Sequence, residues 1–299
     1  MPGSGWSSRR SGVLDVVDDT GEATSRTFVM PPGVAEVVCR PDSAALVSPL
    51  ATMVVGIAEA MPAVLQAFRA GGGVPYEEYG ADIREGIADI NRPSFVNSLA
   101  SEWIPALPDI HDRLQRAGSR VADLGCGIGV STLAIARGYP MAEVHGLDLD
   151  AASIEAARQA ATDTGTSQRV RFNCRDAADA ELAGRYDLVT LFETLHDMAH
   201  PVAALSAARQ MLAPGGAVLV GDEKVADAFT APGDEMERFN YGWSALHCLA
   251  AAMTETDSAG TGTVIRQSTV RDYASRAGFS TCTVLPIEHD FWRFYRLDA

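Results

Sequence analysis

The hydrophobic positions of this chain follow two regimes that change near residue 120. From Arg120 onward, short apolar runs alternate with longer stretches of helical spacing. VADL (121–124), EVHGLDL (143–149), RVRFNC (169–174), YDLVTLF (186–192) and GAVLVGD (216–222) read as strands. STLAIARG, AASIEAARQAA and Pro201–Leu212 carry apolar residues at the 3.6-residue period of a helix. Strands with apolar centres suit burial on both faces, and strands alternating with helices predict a parallel, doubly wound, Rossmann-like α/β sheet. Beyond it, Asp234–Thr256 predicts one long helix and Arg271–Ala277 another. TCTVLP (281–286) and DFWRFYRL (290–297) predict two final strands.

The first 120 residues are different. Ser11–Val17 and Thr24–Met30 are β-prone runs around DDTGEA, which predicts a hairpin stopped by Pro31-Pro32. A lone hairpin buries little, so it is expected to pack on something else. Gly33–Val38 and Ala44–Arg69 predict helix, with Met53, Val54, Ile57, Met61, Val64, Leu65 and Phe68 at helical spacing and a break or restart at Pro62. After the punctuated GGGVPY come helical zones from about Glu77 to Ile90 and from Pro93 to Leu99, and Asp109–Ala117 leads into the main domain. The expected domains are a small region 1–70, a helical lid and linker 71–117, and the α/β domain 118–299 with a helical cap at about 226–260.

Composition narrows the function classes. The 299 residues carry a formal charge of -15, which repels nucleic acid in the absence of a basic patch, and none occurs beyond Arg9-Arg10. The five cysteines are scattered, without a CxxC pair, as in a reducing compartment. No run of about eighteen uncharged apolar residues and no N-terminal signal core is seen. A soluble, cytoplasmic protein with no membrane or nucleic-acid partner is expected.

The densest chemical signal is VADLGCGIG at 121–129. A buried strand ends in a turn whose glycines permit a tight bend and close ligand approach, just before a helix. The spacing is GxGxG; Val130 stands where the dinucleotide fingerprint GxGxxG has glycine or alanine. Asp123, before the turn, can face a cationic ligand group or hold the turn. Asp148, ending the next strand, can accept from both ribose hydroxyls, and Asp176, after the third, from an adenine amino group. These acids support an adenosine ligand without separating NAD from other nucleosides, and each can also cap the following helix.

In order, VADLGCGIG, GLDLD, CRDAAD, YDLVTLFETLHD and LAPGG resemble the motif series of class I S-adenosylmethionine-dependent methyltransferases, over roughly residues 115–222. The resemblance implies a seven-stranded sheet whose last strand is antiparallel, with S-adenosylmethionine over Gly125, Gly127 and Gly129. It places Asp123 near the methionyl amine, Asp148 on the ribose, Leu149 against adenine and Asp176 at its edge, with Phe192 and Tyr76 also at the cofactor. GGGVPYEEY, FETLHD and YGWSALHCL resemble a bacterial subgroup with an N-terminal winged-helix domain, which serves dimer contacts and a substrate lid. Here only the wing-like hairpin at 11–30 is present, so the start reads as truncated and the homodimer as an open expectation.

Methyl transfer to an O or N atom of a small molecule is the expected reaction, chiefly by proximity and alignment. His196, in the extension of strand 186–192, is the candidate general base, with Asp197 orienting it or starting a helix. His196, Asp197 and His200 lie close in sequence, but no third strong ligand follows at motif spacing, so no metal is expected. Tyr79, three residues after Tyr76, and the Asn240, Trp243, His247 stripe are candidate substrate contacts. A non-catalytic binding protein of the same fold is the main alternative. An NAD-dependent oxidoreductase fits less well, for want of the sixth fingerprint glycine.

Overall fold

The computed structural model describes residues 12–18, 21–22, 24–176 and 185–299; Arg9 and Arg10 lie outside them. The α/β region is a seven-stranded sheet. Its strands are β3 (Arg120–Leu124), β4 (Glu143–Asp148), β5 (Val170–Cys174), β6 (Tyr186–Phe192), β7 (Leu212–Glu223), β8 (Thr281–Val284) and β9 (Trp292–Asp298). They lie in the order β5-β4-β3-β6-β7-β9-β8. β3 to β7 pair in parallel, and β9 runs antiparallel to both β7 and β8. The last strand in sequence is thus the antiparallel one.

Two-residue alternation divides the strands between two cores. Val121, Leu188, Leu219 and Phe294 face one, with Phe95, Trp103 and Ile135. Leu124, Leu191, Val220 and Tyr295 face the other, with Leu205 and Val270. Helices α5 (Val130–Gly138), α6 (Ala151–Asp163), α7 (Pro201–Met211) and α10 (Gln267–Arg276) cover the sheet.

The N-terminal part begins with β1 (Asp15–Asp18) and β2 (Thr27–Val29), an antiparallel pair apart from the main sheet. Expected to pack closely, it instead leaves Val17 and Val29 exposed. Helix α1 (Pro32–Val38) precedes α2 (Pro49–Ala70), which continues through Pro62 rather than breaking there. Pro62 faces solvent, while Met53, Ile57, Ala60 and Val64 on either side of it pack inward. That anchoring holds the helix together despite the lost backbone bond. α2 is long and apolar enough to cross a membrane by length and composition. One face packs on α3 (Gly80–Ser94), where Gly56 and Gly86 let the two backbones approach.

The helical zones expected at 77–99 form one path. A 3-10 turn at Tyr76–Tyr79 leads into α3, which continues as a π-helical segment, Phe95–Trp103, before α4 (Pro108–Leu114). The cap is α8 (Glu235–Trp243), a π-helical segment Ser244–Cys248 and α9 (Leu249–Ala252), ending short of the expected Thr256. Ala250 packs into the core of α2 and α3, joining the cap to the N-terminal helices.

Candidate cofactor and acceptor site

The glycine turn lies between the carboxyl ends of β3 and β4, where the backbone N–H groups of Gly125 and Cys126 both donate to the Leu147 carbonyl. Its glycines answer different demands. All three have positive φ, but a Cβ on Gly125 would strike Thr194 and one on Gly129 would lie 2.7 Å from the Phe172 ring. A Cβ on Gly127 would meet nothing within 4 Å, so this residue fronts open space.

Asp123 holds the turn. Its carboxylate accepts from the hydroxyls of Ser131 and Thr132, both at 2.6 Å, and of Thr190 at 2.7 Å. It is 1% exposed, and burial raises its pKa against those hydrogen bonds. Of the two roles considered for it, bracing is the one this geometry performs.

Asp148 points the other way. One carboxylate oxygen accepts from Gly127 N–H and the other from Asp150 N–H, both at 2.8 Å. The carboxylate is therefore fixed in orientation, and each oxygen keeps acceptor capacity for a further hydroxyl. Beside it, Leu149 is 69% exposed, an apolar shelf at the strand end. Arg175 N–H donates to the Asp148 carbonyl, which brings exposed Asp176 next along the rim. The Tyr76 pKa is raised first by burial and then by the charges of Asp148, Asp197 and Asp150.

His196 sits at the bottom of the adjoining loop, 2% exposed. Its Nδ1 is 2.6 Å from Asp222 Oδ1, and its Nε2 is 3.1 Å from Asp197 Oδ1. Burial alone would discharge the ring, but the flanking carboxylates outweigh it and hold the pKa well above the usual histidine value. With both nitrogens facing carboxylates and the pKa raised, the arrangement favours the protonated ring and opposes the general-base role expected of it. Asp197 faces the Nε2 side of the ring, its side chain 26% exposed, and the neighbouring His196 holds its pKa below the usual carboxylate value against the effect of burial. Glu193, in left-handed backbone conformation at φ 54°, and Glu223 extend the acidic group; burial first and neighbouring carboxylates second raise both pKa values, Asp222 and Asp197 acting on Glu193 and Glu193 on Glu223. His200 is exposed and pairs with Glu255. Cys248 instead closes a group with His196 and Asp197 whose donor atoms lie within 4.8 Å.

The remaining candidates sort by packing. Tyr76 and Tyr79 both meet the His247 ring edge-on, at centroid separations of 5.8 and 4.6 Å. Tyr79 has 0% exposure and donates its hydroxyl to the Leu246 carbonyl, so the substrate-contact expectation is corrected to an internal tie. Phe192 is also corrected. Its ring is enclosed by Phe95 and Trp103, at 5.5 and 5.9 Å, and does not face the cleft. Along the cap, Asn240, Ser244 and His247 are buried, while partly buried Trp243 packs against the N-terminal cluster of Tyr79 and stacks on Phe239. Asn240 Nδ2 and His247 Nε2 are buried without hydrogen-bond partners.

Asp222 and Glu223 were absent from the sequence candidates, although the carboxyl end of a central strand is where such a crevice lies. Arg84, which binds Asp150 from α3, carries no local signal at all.

Residues 115–269 match the methyltransferase domain family, more than half of the chain. The chain belongs to this family. A ubiquinone biosynthesis O-methyltransferase of Azotobacter vinelandii is 35% identical over 124 residues, 41% of this chain and 50% of that protein. The chain thus spans about half the length of this curated relative. An O-methyltransferase family protein from Burkholderia thailandensis has the same fold, with a TM-score of 0.67 at 16% identity, over 98% of this chain and 81% of that one. PigF, solved with SAH, gives a TM-score of 0.70 at 18% identity, over 98% of this chain and 83% of that one. The methyltransferase domain expected from the motif series is therefore present, with its seven-stranded sheet.

Proposed function

We propose that this methyltransferase domain binds S-adenosylmethionine and transfers its methyl group to an oxygen or nitrogen of a small molecule. The observation that carries the reading is Asp148, a carboxylate pre-oriented beside the open face of Gly127 and the exposed Leu149. In this reading Asp148 takes the ribose hydroxyls, Leu149 and Asp176 the adenine, and Tyr76 covers the opposite end. When bound, the cofactor supplies an electrophilic methyl on a cationic sulfonium. The Asp148 carboxylate, which has no cationic partner among the described residues, favours a cation and opposes the pyrophosphate of NAD.

The chain's own contribution is holding and alignment. Asn240 and His247, with unsatisfied polar atoms, are the acceptor contacts of this proposal, with Trp243 at the rim. Asp222 fixes His196, and His196 fixes Asp197. Where the acceptor arrives protonated, the His196–Asp197 pair receives its proton, His196 acting as base only from its neutral form. No metal enters this reading. The same proposal makes the chain cytoplasmic and reads α2 as a packing helix whose exposed Val54, Val55, Leu65 and Phe68 suit a homodimer. Its net charge of -15 argues against nucleic acid as acceptor.

The test is a screen of phenols, carboxylic acids and amines with methyl-labelled cofactor. Label transfer that Asp148→Ala removes supports the reading. Cofactor binding without transfer to any acceptor class favours a non-catalytic binding protein.

A further inference from the structure

Arg84 lies on α3, outside the residues that match the methyltransferase domain family. Its guanidinium crosses to Asp150, with Nε 2.5 Å from Oδ2 and Nη2 3.2 Å from Oδ1. The side chains are only 14% and 10% exposed, so the pair has the two-pronged, enclosed geometry that separates a positioning contact from a solvated surface pair.

Asp150 makes further bonds to Ser153 and Asp148. Its carboxylate caps α6, accepting from Ser153 N at 2.9 Å and Ser153 Oγ at 2.7 Å. Its own N–H donates to Asp148 Oδ1, and Asp148 Oδ2 accepts from Gly127. A continuous line therefore runs from Arg84 through Asp150 and Asp148 to the glycine that fronts open space. Arg84 also offsets the charge of a second carboxylate two residues from Asp148, which would otherwise repel it. Tyr76, on the turn that leads into α3, senses Asp148, Asp150 and Arg84 together.

We propose that Arg84 is a positioning residue of the cofactor site: a clasp that fixes the ribose carboxylate through Asp150 and holds the N-terminal helices over the cleft. The inference rests on the S-adenosylmethionine reading above. It makes the site a joint product of the α/β domain and α3. Lysine cannot replace the arginine fully, because a point charge lacks the planar fork.

The test is calorimetric titration of the full chain with S-adenosylhomocysteine, comparing the unsubstituted protein with Arg84→Gln, Arg84→Lys, Asp150→Asn and the Arg84→Gln/Asp150→Asn pair. Asparagine retains the helix-capping oxygen, so Asp150→Asn removes mainly the charge. Loss of a charge-assisted pair of this kind is expected to weaken binding about tenfold in Arg84→Gln, with partial recovery in Arg84→Lys. The paired variant should bind no more weakly than the worse single one, because both break the same line. Adenosine should lose affinity by the same factor, since the defect lies at the ribose carboxylate. Urea midpoints on the same samples identify any variant that fails to fold. Lowered midpoints with unchanged affinity, or losses that multiply in the pair, would overturn the clasp alone. Absence of binding by the unsubstituted chain contradicts the cofactor reading and this inference with it.

Discussion

Alanine at Gly125 and at Gly127 should have opposite consequences, although the residues are two apart in one turn. Both have positive φ, 68° and 51°, so a Cβ costs each about 1–2 kcal/mol of left-handed strain. At Gly125 the new methyl also meets Thr194, and forced overpacking adds roughly 1–3 kcal/mol. Gly125→Ala should therefore lose about 2–5 kcal/mol of stability. At Gly127 the methyl meets nothing within 4 Å, so the strain is the whole cost and the stability loss stays at about 1–2 kcal/mol. The space it fills is the space assigned to the cofactor, so affinity for S-adenosylhomocysteine should fall by at least about tenfold, the equivalent of 1.4 kcal/mol. Urea unfolding and calorimetric titration of both variants give the two numbers. If Gly127→Ala is as unstable as Gly125→Ala and binds normally, the division of the turn into a packed glycine and a ligand-facing glycine is wrong.

Three further outcomes follow from the site. The folded-state pKa of His196 is raised, so the stability it contributes is complete below its unfolded value of about 6.5 and is lost as pH rises through the folded value. Asp222→Asn should lower that folded pKa and reduce the decline in urea midpoint above pH 6.5; an unchanged pH profile would contradict the ion pairing. Asn240→Leu removes a buried amide nitrogen that has no partner, so it should change stability by no more than about 1 kcal/mol while depressing turnover. A normal acceptor KM and kcat in that variant would return Asn240 to the core. Tyr79→Phe should cost about 1 kcal/mol by leaving the Leu246 carbonyl without its donor. A large change in acceptor KM would instead restore Tyr79 as a substrate contact.

Much of the sheet was legible because each strand is an apolar run between helix-period segments; YDLVTLF coincides with β6 to the residue. The glycine turn and Asp148 were legible because strand, turn and helix are contiguous, so sequence neighbours are spatial neighbours. Legibility ended where contacts are distant in sequence. Arg84 and Asp150 are 66 residues apart, and nothing in either segment announces the other. His196 looked like a free base because Asp222, 26 residues on, is invisible from the LHD segment. The face of the cap helix was legible from its spacing: Asn240 and His247 are buried on one side and partly buried Trp243 packs against the same N-terminal cluster. Pro62 misled, because helix continuity there is decided by the packed face of α2, which a local rule about proline does not contain.

Separate calorimetric titrations with S-adenosylmethionine and with NAD, each repeated on Asp148→Ala, test whether the glycine turn and Asp148 form an S-adenosylmethionine site. Micromolar binding of S-adenosylmethionine, abolished or weakened severely by that substitution, and no binding of NAD are expected. Binding of NAD alone, or S-adenosylmethionine affinity indifferent to Asp148, would contradict that assignment.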